Sequence, residues 1–239
     1  MNRFENAKEG IAKRTLTVFF VIDNSGSMEG EKIGAVNTAI KDVLPELKNL
    51  AAPNNADVEI KVAALIFSGS SYWIHPTLVN DFTWKDLTTE NLTNMGAALT
   101  ELRSKLSIGD GGFMSEEKGC YAPVFIFMSD GEPTDEVDGP LKALWENKWF
   151  KHGTRSAIAI GKDANMDVLA NLVGSKEGVT RVHSPETLKK IIKFVTMTAT
   201  KSGSSGVSRN TDPQVKECDQ GGSVVSGPDD LKDTNNKGW

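Results

Sequence analysis

The amino-acid sequence predicts a doubly wound α/β domain, with a mainly parallel sheet, one antiparallel edge strand and helices on both faces. Three observations lead there. Two continuous apolar runs, Val18–Ile22 and Val124–Met128, have the composition of strands buried on both faces. Each run stops abruptly in turn chemistry that carries a carboxylate, Asp23 and Asp130. Downstream of each, apolar residues recur at three- and four-residue steps, the pattern of a helix with one buried face.

In chain order, residues 1–14 are a polar lead-in. Thr15–Ile22 is the first strand, and Asn24-Ser-Gly-Ser the turn after it, with Gly26 suited to a positive φ. Glu31–Leu50 is a helix through Ile33, Val36, Ile40, Val43, Leu44 and Leu47, with Pro45 expected to kink it or end it a turn early. Asp57–Phe67 alternates like a strand. Ser68-Gly-Ser-Ser is a turn short enough to imply an antiparallel hairpin into Tyr72–Val79. Asn80–Asn91 carries few apolar residues, and Asn94–Leu106 is a helix on Leu99, Leu102 and Leu106.

Ser107–Gly119 is Gly-rich and charged, and leads into a strand, so it belongs at the end of the sheet away from Asp130. Tyr121–Ser129 is that strand. Val137–His152 reads as one helix, Arg155–Ile160 as a strand, Met166–Val173 as a short helix and Gly178–Val182 as a weak edge strand. Pro185–Thr200 is a last helix, with Ser184 as N-cap. From Ser202 the chain turns to Gly, Ser, Asn, Asp and Lys, which cannot bury enough surface to offset its ordering entropy. The expected organisation is therefore 1–14 lead-in, 15–201 folded domain and 202–239 disordered tail.

Composition excludes several classes. The 239 residues carry a formal charge of −5 and no basic run, which argues against general nucleic-acid binding. Cys120 and Cys218 have neither the spacing nor the histidines of a zinc site, and a reduced pair is expected. The charged first ten residues lack an apolar h-region, and no apolar run is long enough to span a bilayer. A cytoplasmic location, without a membrane, is the expectation.

The chemistry lies in Asp23-x-Ser25-x-Ser27, in Thr93 at the entry to a helix, and in Asp130. All five offer hard oxygen donors. That suits magnesium, or manganese, which takes six oxygens and keeps several waters. If the strands ending in Asp23 and Asp130 are parallel neighbours, their carboxylates end side by side. They then lie in the crevice where open α/β sheets bind ligands. The alternative for Ser25 or Ser27 is capping of the first helix, and for Asp130 a turn aspartate before glycine. A carboxylate at the end of a buried strand is costly unless paired or metal-bound, which favours the metal.

This five-residue set resembles the metal-ion-dependent adhesion site of von Willebrand factor A domains, over about Thr15–Lys201. The Asp-Gly-Glu-Pro-Thr-Asp stretch from Asp130 and the compact size are similar to the bacterial tellurium-resistance TerY group. Asn91 and Leu92 depart from it, standing where relatives often have glycines. The resemblance implies metal-dependent protein binding. Ser25, Ser27 and Thr93 would bind the ion directly, Asp23 and Asp130 directly or through water, and a partner's Glu or Asp carboxylate would complete the octahedron. It also implies a stress-response setting with a kinase or phosphatase of the same system as partner.

Glu132, Asp135, Glu136 and Asp138 are an acidic run beside the site. They read as a solvated rim and first helical turn, or as a selector of basic surroundings on a partner. His75, His152 and His183 are scattered and read as no ligands. Trp73 and Trp84 read as packing residues. A non-enzyme is expected, with two alternatives. One is a metal-dependent hydrolase on the same oxygens, which needs a His, Glu or Lys base near a metal-bound water. The other is a structural domain whose five side chains point apart.

Overall fold

The computed structural model describes residues 14–52, 58–90, 92–109, 111–114, 120–182 and 190. Six strands form one sheet: β1 (Arg14–Asp23), β2 (Val58–Phe67), β3 (Ser71–Leu78), β4 (Val124–Ser129), β5 (Thr154–Ile160) and β6 (Val179–Val182). Their order is β3-β2-β1-β4-β5-β6, so the chain winds outward in both directions from β1. Every pairing is parallel except β2–β3, the expected hairpin.

β1 shows why the fold needs two helical layers. After Arg14 every residue of the strand is buried. Leu16, Val18, Phe20 and Ile22 point into one core with the apolar face of α1 (Glu31–Leu50). Phe19 and Val21 point into the other, with α2 (Met95–Lys105) and α5 (Met166–Val173). Alternation of side chains across a strand puts one run of apolar residues into both cores. Phe125 on β4 stacks on Phe19 at 5.3 Å and meets Phe150 at 5.0 Å. Trp73 packs edge-on against Phe19, and Trp84 donates to Asn37 on α1, so both tryptophans are packing residues.

Several local expectations need correction. α1 continues unbroken through Pro45. Pro45 lies on the exposed side of the helix, where the carbonyl it leaves without a donor can bond water. Gly26 has no positive φ and lies in a 3-10 turn, Gly26–Met28; the left-handed residue is Gly30, at φ +77°. The segment expected as one helix is two, α3 (Asp138–Trp145) and α4 (Lys148–His152). Asn147 divides them: its side chain accepts from the backbone of Trp149 and Phe150, an N-cap that starts a second helix.

Cys120 bridges Thr15 at the start of β1, so the chain enters β4 at the end of the sheet opposite the Asp130 end, as expected. The polar lead-in, the helix expected over Pro185–Thr200 and the tail lie outside the described residues, apart from Arg14, which opens β1, and Lys190.

Phe125 is fully buried between two other aromatic rings. Phe125→Ala should therefore lower unfolding free energy by about 3–5 kcal/mol. Chemical denaturation measures this; a loss within error of zero would mean that the aromatic layer does not hold the sheet to its helices.

Candidate metal centre

Parallel pairing of β1 with β4 decides the geometry. Ile22 stands opposite Met128, so Asp23 and Asp130 leave adjacent strands at nearly the same level. Both are buried, at 0% and 1% exposure. Asp23 is held by its surroundings: Oδ1 accepts from the Ser25 backbone at 2.9 Å, and Oδ2 from the Ser129 hydroxyl at 2.6 Å. Ser129 in turn accepts from the Gly131 backbone at 2.8 Å. Burial raises the Asp23 pKa; the hydrogen bonds from Ser129 and Ser25 oppose the rise, and the charge of Asp130 adds to it.

Neither serine caps the helix that follows. Ser25 is the residue before the 3-10 turn but its side chain makes no capping bond, and Gly30 precedes α1 without one. The Ser25 and Ser27 hydroxyls lie 3.1 Å from each other instead. Met28, fully buried, anchors the turn from below.

Thr93 is delivered by the long crossing segment. That segment is fastened along its length. Leu87 bonds Asn37 of α1 in both directions, Asn24 exchanges bonds with Thr88 and Glu90, and the Asn94 backbone donates to Ser68 at 2.7 Å. Thr93 itself is 4% exposed and pairs reciprocally with Thr134, backbone to side chain at 3.0 Å and backbone to backbone at 2.8 Å. The crossing segment and the turn after β4 are thus one assembly. Leu92, beside Thr93, is exposed and covers Gly69; Asn91 lies outside the described residues.

The acidic run divides. Asp135 accepts from the Gly96 and Ala97 backbone, capping α2 from a distant turn. Gly96 has no room for a side chain, because a Cβ would collide with the Glu136 carbonyl. Glu136 caps α3 through the Gly139 backbone at 2.9 Å. Glu132, Glu136 and Asp138 are all exposed and form the acidic rim, while Asp135 is half-buried.

Sequence reasoning missed three residues. Ser129 and Thr134 flank Asp130 and are visible once Asp130 is aligned with Asp23. Lys32 is the third: its Nζ lies 3.2 Å from Asp130 Oδ2 and 3.0 Å from Asp163 Oδ2. Burial disfavours the ammonium, but the bonds to Asp163 and Asp130 outweigh burial and hold its pKa above the usual lysine value. The bond from Lys32 in turn depresses the pKa of Asp163.

The donor set fits a hard cation. Among the described residues no three His, Cys, Asp or Glu side chains converge, so hydroxyls must complete any site built on the two aspartates. Asp130 Oδ1 is buried and has no hydrogen-bond partner. An unpartnered buried carboxylate oxygen is a feature that a bound ion would satisfy. His75 and His152 sit on β3 and α4, away from this cluster; His183 is outside the described residues.

A doubly wound sheet with two aspartates and three hydroxyl residues at its central switch point defines an oxygen-donor α/β binding domain. A family profile described as von Willebrand factor type A domain matches residues 17–194, and the chain belongs to that family. Such domains are commonly protein-interaction modules and bind a divalent metal at this position.

Human inter-alpha-trypsin inhibitor heavy chain H6 is 29% identical over 187 residues, covering 73% of this chain and 14% of that protein. This chain therefore spans only a small part of that relative. Among solved structures, proximal thread matrix protein 1 of the mussel byssus superposes with a TM-score of 0.56 at 18% identity, covering 77% of this chain and 48% of its own. It has also been solved with zinc occupying its adhesion-site motif. The pilus adhesin SpaC of Lactobacillus rhamnosus GG gives 0.55 at 14% identity, covering 79% of this chain and 30% of its own. At these identities the likeness is one of fold.

Ser129→Ala removes a hydroxyl from a buried carboxylate and leaves Asp23 Oδ2 short of a partner. A net cost of about 1–3 kcal/mol is expected in thermal or chemical unfolding. Gly96→Ala should destabilise as well, because the displaced backbone of Glu136 carries the cap of α3. Wild-type stability in both variants would show that the turn after β4 is not fixed as described.

Proposed function

We propose that this domain binds a protein partner through a magnesium or manganese ion held by Asp23, Ser25, Ser27, Thr93 and Asp130. Ser25, Ser27 and Thr93 would contact the ion directly, and Asp23 and Asp130 directly or through water. The observation that carries the reading is the unpartnered Oδ1 of buried Asp130, one strand over from Asp23, whose following turn carries Ser25 and Ser27. Oxygen ligands alone favour magnesium over softer metals. Bound there, the ion would supply a positive centre with an open position, and a partner's Glu or Asp carboxylate is the group that completes it.

The chain's own residues do the rest. Ser129 and the Ser25 backbone orient Asp23. Thr134 holds Thr93 against the turn that carries Asp130. The exposed acids on the rim, Glu132, Glu136 and Asp138, place the incoming carboxylate among neutral or basic residues, because like charges across an interface oppose binding.

The finer setting follows from the stretch Asp130-Gly-Glu-Pro-Thr-Asp135: a TerY-like bacterial stress-response protein, cytoplasmic, with a kinase or phosphatase of the same system as its partner. The mussel and pilus proteins belong to adhesive structures by name, which supports protein binding as the activity of this fold and leaves the setting to experiment. No helix among the described residues is long and apolar enough to cross a membrane.

The hydrolase alternative draws no base from Lys32. Lys32 is near enough to the site, but it is held charged between two carboxylates and has no free electron pair to offer.

Two measurements test the reading. Calorimetric titration with magnesium should show one site, weakened at least tenfold (about 1.4 kcal/mol) in Asp130→Ala; an unchanged isotherm sinks the assignment. Partner capture should be lost in chelator, return with magnesium and fall in Thr93→Ala, which removes a ligand without changing charge. Capture that survives chelation puts the interface elsewhere on the domain. Chelator alone should leave the fold intact, since the core is large and the site lies at its edge.

A further inference from the structure

Lys32 occupies a place that the chain has made for it. It leaves the first turn of α1, passes Gly161 at the end of β5 and ends between Asp130 and Asp163. Gly161 has φ +93°, and a Cβ there would stand 2.5 Å from Lys32 Cε and 2.8 Å from Asp163 Oδ1. A glycine is therefore needed both for the backbone and for the passage of the lysine. The two carboxylates differ sharply: the Asp130 side chain is 1% exposed and that of Asp163 74%.

We infer that Lys32 is a built-in competitor of the metal ion. With no ion bound, its ammonium neutralises one oxygen of Asp130; when a divalent cation binds, the ammonium is carried by Asp163 alone. This rests on the metal reading of the site and adds what sets its affinity. A divalent ion on Asp130 Oδ1 faces a positive charge a few ångströms away on Oδ2, and their repulsion favours moving the ammonium to Asp163. Asp163 gives the displaced ammonium a partner in contact with water. An open groove of about 400 Å³, lined by Glu29, Glu31, Lys32, Gly161, Lys162 and Asp163, gives it room. A monovalent ion offers Asp130 no more charge than the lysine already does, so the arrangement selects for divalent ions as well as lowering affinity.

The test is magnesium calorimetry on the full chain, with thermal melting in parallel. Lys32→Met should bind magnesium about tenfold or more tightly than wild type, the effect of removing one nearby unit charge. Lys162→Met makes the same charge change in the same groove without touching Asp130, and should shift affinity by less than about threefold given screening at the surface. Asp163→Asn removes the second acceptor and should weaken binding relative to wild type.

Without metal, Lys32→Met should melt below wild type, and it should gain more from magnesium than wild type does. If Lys32→Met does not fold, Lys32→Gln, which keeps a donor but no charge, takes the same titration with the same expectation. Equal isotherms for wild type and the Lys32 variant overturn the inference and leave the metal site standing. Equal tightening in Lys162→Met reduces the effect to net charge and also overturns it, as does unchanged or tighter binding in Asp163→Asn. Absence of binding in every protein overturns both readings, whereas binding that appears only once Lys32 is replaced supports both.

Discussion

Two carboxylates brought out of water onto adjacent parallel strands are the constraint around which the rest of this domain is arranged. A buried charge is tolerable only if it is hydrogen-bonded, paired or bound to a cation. Asp23 is satisfied from within, by Ser25 and Ser129. Asp130 is not: one oxygen leans on Lys32 and the other has no partner. The long crossing segment, the serine turn, the turn after β4 and the first turn of α1 all converge on this imbalance. Each of them is tied down by bonds that have no other evident purpose.

Much of this was legible in the sequence. Runs such as Val18–Ile22 identify central strands because a strand buried on both faces cannot alternate. The five oxygen-bearing positions stand out because each falls near where an apolar pattern ends or begins. The sequence alone makes the adjacency of Asp23 and Asp130 conditional, because two helices and two further strands separate β1 from β4; the sheet register supplies it. Helix ends were harder. Periodicity runs straight through Trp145 and Trp149, yet Asn147 interrupts the helix by bonding backbone three residues on, a local event that hydrophobic spacing does not register. Pro45 misled in the opposite direction, since its cost depends on which side of the helix faces water.

The residues missed were those whose roles depend on distant partners. Nothing near Lys32 in the chain announces Asp130 or Asp163; the three come from the start of α1, the end of β4 and the turn after β5. Asp135 and Glu136 looked like rim charges because acids near a helix start are ordinarily solvated. In fact they cap α2 and α3 and fix the turn beside the site. Capping does not remove a carboxylate's charge, and Glu136 stays exposed, so this acidic run serves the surface potential and the rigidity of the turn beside Thr93 together.

The register of β1 against β4 has a consequence in time. Asp23 and the Ser129 that orients it are 106 residues apart in the chain. A ribosome making this protein releases the Asp23-x-Ser25-x-Ser27 turn well before the strand that completes it exists. Until β4 is delivered and pairs with β1, Asp23 is an ordinary solvated carboxylate with weak affinity for any ion. Long-range parallel pairing of this kind is a late event in folding. The pair of buried carboxylates is thus assembled only after the greater part of the domain has been synthesised.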